Sequence, residues 1–272
     1  KGSYRSLDGA YRFRADKIIA LIATLIEKRA ISDRSALAML GIKSPRTYRE
    51  YRNFLEAGGF IERSVSEVAP TARLDTLWSN LLSRNYPEAI NELSSVSSFG
   101  RFLSLLRVGS PMAPDDARAA GLHRESQSSY ALLAELLGGA FVADEGVFGT
   151  PVDPRPNKFS DVAIDAYSHL ASTDRTGRYV LTGAWLEVLA TTHGIHPIHA
   201  RSRLEEARSA GLLERIVEGS SPATGQRSRP IKILSESRGR LSVEEVDLYD
   251  GRFLLTTRAA VRIHIARSSH GT

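Results

Sequence analysis

The sequence predicts a mostly α-helical chain with small β-hairpins, of the α+β class, built from three copies of one helix, turn, helix, strand module. Two observations predict it. A Gly-aliphatic pair followed later by Gly and a short apolar run recurs three times, at Gly41 and Gly59, Gly121 and Gly139, and Gly194 and Gly211. The separations are 18, 18 and 17 residues, and such self-similarity marks a repeated structural unit. Between the glycines, apolar residues fall at helical spacing: Tyr48, Tyr51, Phe54 and Leu55 in the first copy, and Tyr130, Leu133, Leu136 and Leu137 in the second. The composition is that of a globular chain, 42% hydrophobic and 25% charged, and 272 residues suffice for two or three small domains.

The elements follow in order. Lys17–Lys28 carries Ile18, Ile19, Leu21, Ile22, Leu25 and Ile26, one apolar helical face. A short helix, Arg34–Leu40, leads to the turn at Gly41. Ser44-Pro45 then reads as the cap and first residue of a helix that Gly58-Gly59 stops. The second copy opens with Phe99–Arg107 and Asp115–Ala120, where Pro114-Asp115 is a helix start. It continues with a helix over His123–Leu137. Segment 146–158, with Pro151, Pro154 and Pro156, reads as a linker. The third copy comprises Ser160–Ser172, Thr182–Thr191 and a helix opened by His196-Pro197. The domains expected are 1–75, 76–150 and 159–272, with 151–158 as linker.

Strand signals gather late in the chain. Leu212–Val217 and Ile231–Leu234 flank a Gly, Ser and Pro-rich stretch bearing Gln226, Arg227 and Arg229. That pattern predicts a hairpin with an arginine-bearing tip. Asp250-Gly251, between Glu245–Tyr249 and Arg252–Thr256, predicts a second hairpin. The segment Arg258–Ala266 fits either a final helix or, through Val261, Ile263 and Ile265, a strand.

Several function classes are excluded or disfavoured. Cysteine is absent, which removes disulfides, Cys-ligated zinc and thiol nucleophiles. The longest apolar run, Ile18 to Ile26, is far short of the roughly 20 residues a membrane span requires. A cytoplasmic, nucleoid-associated location is expected, although the chain opens on Lys1 and an upstream signal stays open. No phosphate loop, dinucleotide glycine fingerprint, Gly-x-Ser-x-Gly elbow or His-Glu-x-x-His occurs, so the chain is expected not to be an enzyme and to need no cofactor. His193, His196 and His199 recur every third residue, but Pro197 sets a turn among them. His196 reads as a helix cap, His199 as a first-turn phosphate donor, and no metal is expected.

The charge balance is mildly basic: 36 Lys and Arg against 31 Asp and Glu, a formal +5. Six of the basic residues are lysines and thirty are arginines. Arginine suits phosphate and guanine edges, although a GC-rich genome produces the same bias.

The order of helix, short helix, turn, helix and strand resembles the winged-helix superfamily of bacterial DNA-binding domains. The likeness is strongest from Ser32 to Arg63, SDRSALAMLGIKSPRTYREYRNFLEAGGFIER. The resemblance extends over most of 15–150 and 160–235. It implies tandem winged helix-turn-helix domains, as in bacterial transcription regulators and plasmid replication initiators. The second helix of each turn then lies in a major groove. In the first copy the candidate DNA contacts are Arg46, Thr47, Tyr48, Arg49, Arg52 and Asn53, with Arg46, Arg49 and Arg52 read as one basic stripe. In the third they are His199, Arg201 and Arg203, with Gln226, Arg227 and Arg229 at the tip. The second copy offers Arg124, Ser126, Gln127 and Ser129 beside Glu125 and Glu135, a weak surface for DNA. The leading expectation is a sequence-specific duplex-DNA-binding protein, a transcriptional regulator or the DNA-binding subunit of a larger system. The alternative is a protein-interaction adaptor like the kleisin-gripping winged helices of chromosome-organising or defence complexes.

Overall fold

A computed structural model describes residues 11–65, 67–173, 180–217, 230–237, 239–246 and 252–256. The chain is mostly helical, with small antiparallel strand pairs, and divides into two compact units. Residues 1–107, 111–147 and 232–244 form the first. Residues 108–110, 148–231 and 245–272 form the second. Among the described residues, no helix is long and apolar enough to cross a membrane.

In the first unit, α1 (Ala15–Lys28) buries Ile18, Ile19, Leu21, Ile22 and Leu25 on one face. It packs against α2, α4 and α8, described below. α2 (Asp33–Leu40) starts at the Ser32 hydroxyl, which accepts from the Ser35 N–H. It ends at Gly41, whose φ of 61° a side chain would strain. α3 (Pro45–Ala57) starts at Ser44, with Pro45 in its first turn. β1 (Ile61–Arg63) and β2 (Val68–Pro70) form an antiparallel hairpin, Ile61 opposite Pro70 and Arg63 opposite Val68. Ile31 bridges Val68, so the chain between α1 and α2 joins the same small sheet.

Two helices follow that the sequence pattern above does not include, α4 (Ala72–Leu82) and α5 (Tyr86–Leu93). Their signal is nonetheless present. Leu74, Leu77 and Leu81 in α4, and Tyr86, Ala89 and Leu93 in α5, recur at i, i+3 and i+7 and are buried. The module then repeats as α6 (Ser97–Leu105), α7 (Pro114–Ala119), α8 (Arg124–Leu136), β3 (Ala140–Ala143) and β4 (Gly146–Gly149). Segments 1–75 and 76–150 share one aromatic core. Phe54 of α3 meets Tyr11, Phe13, Phe99 and Tyr130 at ring-centroid distances of 5.8, 4.6, 6.2 and 6.3 Å. The Phe13 N–H donates to the Ser129 hydroxyl at 2.9 Å.

The second unit contains α9 (Pro156–Thr173), β5 (Val180–Leu181), α10 (Thr182–His193), α11 (Pro197–Ser209) and β6 (Glu214–Val217). α9 begins at Pro156, and β4 occupies 146–149, so the expected linker shrinks to the residues between them. Gly194 ends α10 with φ of 69°, as Gly41 ends α2. The core holds Phe159, Trp185, Leu189, Ile195, Leu204, Leu213 and Leu255. Trp185 is buried and its indole N–H donates to the Ala163 carbonyl at 3.0 Å.

The late strands pair differently from the sequence expectation. β7 (Ile231–Ser237) pairs with β8 (Arg240–Val246), and its residues 232–237 belong to the first unit. β6 pairs not with β7 but with β9 (Arg252–Thr256), antiparallel, Glu214 opposite Thr256 and Val217 opposite Phe253. β9 also pairs with β5, giving the order β5, β9, β6. β8 and β9 lie in different sheets, and Asp250-Gly251, the expected hairpin turn, lies outside the described residues. Gln226, Arg227, Arg229 and the segment 258–266 lie outside the described residues.

Candidate nucleic-acid interface

The residues singled out in the first copy all sit on α3. The Ser44 hydroxyl accepts from the Thr47 N–H at 3.4 Å, and the Ser44 carbonyl accepts from the Tyr48 N–H at 3.1 Å, which together fix the first turn. Arg46, Thr47 and Arg49 are exposed, and Asn53 is half-buried. Arg34 on α2 and Lys43 in the turn are exposed as well. Among the described residues no carboxylate pairs with Arg34, Lys43, Arg46 or Arg49 within 4.0 Å. A helix N-terminal half that carries exposed arginines with no carboxylate partner among the described residues is suited to an anionic ligand.

Two residues expected on this face are not on it. Tyr48 is 1% exposed and packs in the core. Burial, followed by the field of the Asp33 carboxylate, pushes its hydroxyl up to about 12. Arg52 is 5% exposed and its Nη1 donates to Asp33 Oδ2 at 2.6 Å. The expected stripe of Arg46, Arg49 and Arg52 is thus two residues long. The reason is helical drift. Each residue advances about 100°, so every i+3 step falls about 60° short of a full turn. Over two such steps the side chain rotates by about 120°, from the exposed face to the flank of Tyr48 and Leu55.

In the second copy, α8 is closed off. Ser126, Ser129, Tyr130, Leu133, Glu135 and Leu136 are all buried. Glu135 accepts the Val142 N–H at 3.0 Å, and the Ser98 and Tyr130 hydroxyls share a hydrogen bond of 2.7 Å. Such packing, with buried carboxylate and hydroxyls satisfied by protein groups, leaves little of the helix for a partner.

In the third copy, α11 carries Arg201, Arg203 and Arg208. Arg201 is exposed. Arg203 is held in a two-pronged pair, Nε and Nη2 to the Asp153 carboxylate at 2.6 and 2.7 Å, and it also contacts Glu206. The guanidinium holds the Asp153 carboxyl below its usual range. Arg203 is therefore a tie between α11 and the segment before α9, not an outward contact. Arg208 pairs with Glu205 at 2.9 Å. His199 is half-buried, and burial lowers its pKa, which favours the neutral ring over a phosphate-gripping cation. His196 caps the helix as expected, its Nδ1 accepting from the Ile198 N–H at 3.2 Å. It is fully buried, and burial pushes its pKa down to about 3. His193 lies 3.6 Å from Asp165. Among the described residues no group of three or more His, Asp or Glu side chains is placed to hold a metal ion.

The structure thus brings together Arg46, Thr47 and Arg49, with Asn53 at their edge. It adds Arg34 and Lys43, which the sequence pattern did not single out. Their signal is modest: each lies within about a dozen residues of Arg46, on the short helix and the turn that present α3. No family model, no curated protein and no solved structure matches the chain.

Proposed function

We propose that this chain is a tandem winged helix-turn-helix protein that binds duplex DNA through α3 of its first unit, as a cytoplasmic, nucleoid-associated transcriptional regulator or the DNA-binding subunit of a larger system. One observation carries the reading: α3 keeps Arg46 and Arg49 exposed and, among the described residues, without a carboxylate partner, next to Lys43 and Arg34, while its opposite face is buried. The order α1, Ile31 bridge, α2, α3, β1, β2 supports the winged-helix assignment, because a hairpin follows the two helices of the turn, packs on α3 through β1 and is joined by Ile31 just ahead of α2. The order α9, β5, α10, α11, β6, β9 supports it for the second unit.

The two units do not contribute equally. In α11, Arg203 and Arg208 are neutralised by Asp153, Glu206 and Glu205, so among the described residues α3 is the principal DNA-contacting helix. That same neutralisation favours a second reading for α11, a surface that meets protein rather than phosphate, as in an adaptor.

The test is fluorescence anisotropy of a labelled mixed-sequence duplex, titrated with the full chain at several salt concentrations. Binding is expected to weaken steeply with salt. The Arg46→Ala/Arg49→Ala variant is expected to bind more weakly, by about 1–3 kcal/mol for each arginine that reads a base. For each arginine that grips phosphate instead, the salt slope is expected to fall by about one. Absence of binding at about 50 mM salt, where electrostatic affinity is strong, overturns the proposal.

A further inference from the structure

We propose that the Asp33–Arg52 pair is a positioning clamp that sets the angle of α3 on α2, and through it where Arg46 and Arg49 meet a duplex. The inference rests on the DNA reading of α3.

Asp33 is the first residue of α2, and Arg52 lies in the second half of α3. The two helices are joined by the short turn at 41–44, which Gly41 leads with a left-handed φ of 61°. The Gly41 and Ile42 N–H groups bond back to the Ala38 and Leu37 carbonyls at 3.1 and 3.0 Å, which fixes how the turn leaves α2, and a contact far along α3 is what completes its orientation. The pair supplies one: Arg52 Nη1 to Asp33 Oδ2 at 2.6 Å, between residues 19 apart in sequence. The Arg52 guanidinium is buried and its Nε has no hydrogen-bond partner among the described residues. The Asp33 carboxylate is thus what compensates this buried cation. Such a charge, deprived of its partner, is driven toward water. Arg52 reaches water by turning α3 about its axis or by lifting it off α2. Arg49 is one turn before Arg52 on the same helix and Arg46 one turn further, so either movement displaces both.

The sign of one substitution separates positioning from simple electrostatics. Asp33 is a half-exposed carboxylate on the same motif as the basic face, with 44% of its side chain accessible. If it had no positioning role, Asp33→Asn would remove a negative charge near bound phosphate and tighten binding. The clamp predicts the opposite. The experiment measures the affinity of the wild-type chain, Asp33→Asn, Asp33→Glu and Arg52→Lys for a fluorescein-labelled mixed-sequence duplex. Far-UV circular dichroism of each is recorded at the assay temperature. Asp33→Asn is expected to bind about tenfold more weakly, equivalent to forfeiting one arginine's grip on the duplex, with a native spectrum. Asp33→Glu is expected to recover affinity to within about twofold, since it restores the charge. Arg52→Lys keeps the buried cation but not the reach and planar geometry that bring Nη1 to Asp33 Oδ2, and is expected to lose about threefold; it decides the matter if Asp33→Asn is unfolded. Wild-type or tighter binding by a folded Asp33→Asn, or undiminished binding by Arg52→Lys, overturns the clamp. If that happens while Arg46→Ala/Arg49→Ala binds weakly, the DNA reading stands and only the clamp falls. No binding by the wild type overturns both.

Discussion

Replacing Phe54 by alanine tests whether the first two copies of the module are one folding unit. The ring is 0% exposed and meets four aromatic neighbours. Two of them, Phe99 and Tyr130, belong to the second copy. Burying a phenyl ring contributes about 2–3 kcal/mol by area. Each edge or tilted ring pair adds about 0.5–1.5 kcal/mol, and these terms are not additive. The cavity left behind cannot collapse easily, because the neighbours are rings fixed by backbone and hydroxyl bonds at Ser98 and Ser129. The expected loss is about 4 kcal/mol, within the range for buried Phe to Ala. Hydrogen exchange followed by mass spectrometry reads it by segment. Peptides covering α1–α3 and those covering α6–α8 are expected to lose protection together, while peptides covering α10–α11 keep theirs. A loss confined to α1–α3, or smaller than about 1 kcal/mol, refutes the shared core.

Other expectations follow from the second unit and from α8. His196 is held neutral by burial, about 3 against an ordinary 6.5. Below about 6.5 the unfolded chain binds a proton that the folded chain refuses. Stability is thus full above that pH and falls as the pH drops toward about 3. The slope is about 1.4 kcal/mol per pH unit, or about 2 kcal/mol lost between about pH 6.5 and 5. Urea titrations followed by Trp185 fluorescence in a Trp78→Phe background measure it, and His196→Asn, which keeps a capping acceptor, is expected to flatten the dependence; an equal slope in that variant refutes the assignment. Arg203→Ala is expected to cost the second unit about 1–3 kcal/mol, because it strips the Asp153 carboxylate of charged hydrogen bonds, and to leave duplex affinity unchanged by anisotropy. Glu135→Ala leaves the half-buried Val142 N–H without its acceptor and is expected to cost about 1–3 kcal/mol in thermal or urea unfolding of the first unit.

How much of this was legible in the sequence depends on the range over which the signal acts. Local signals were read well. Ser44-Pro45, Gly41, Gly194 and His196-Pro197 mark helix ends because caps and left-handed turns are decided within four residues, and they fall where the structure has them. Pairings between distant strands were not legible. β6 takes β9 as its partner across the segment that includes the β7–β8 hairpin. The nearest apolar run, Ile231–Leu234, therefore looked like the mate of β6. Nothing in either strand's composition says which will be chosen, since register and partner are set by which sheet can bury Leu255 against the core of the second unit. α4 and α5 had a readable heptad-like pattern, but it lay outside the glycine repeat that organises the rest.

The candidate site shows the same limit in charge rather than in topology. Arg46, Arg49 and Arg52 are identical in side chain and evenly spaced, and Arg201, Arg203 and Arg208 repeat the theme on α11. Sequence assigns five of them to one role, leaving out Arg208. The structure sorts them by where a carboxylate lies: Asp33 takes Arg52, Asp153 and Glu206 take Arg203, and Glu205 takes Arg208. Three of those four acids come from the same or the preceding helix of the motif, but Asp153 comes from 50 residues away. An arginine that has found a counter-ion braces the fold, and one that has not is available to a ligand. By that criterion Arg46 and Arg49 on α3, with Arg201 alone on α11, rather than the arginine count of the chain, carry the case for DNA. A variant that supplies a carboxylate on the same face, Asn53→Asp, one turn after Arg49, is accordingly expected to weaken duplex binding by more than Asn53→Ala does, through local neutralisation and repulsion of phosphate. Equal effects of the two substitutions in the anisotropy titration would mean that phosphate does not approach this face of α3.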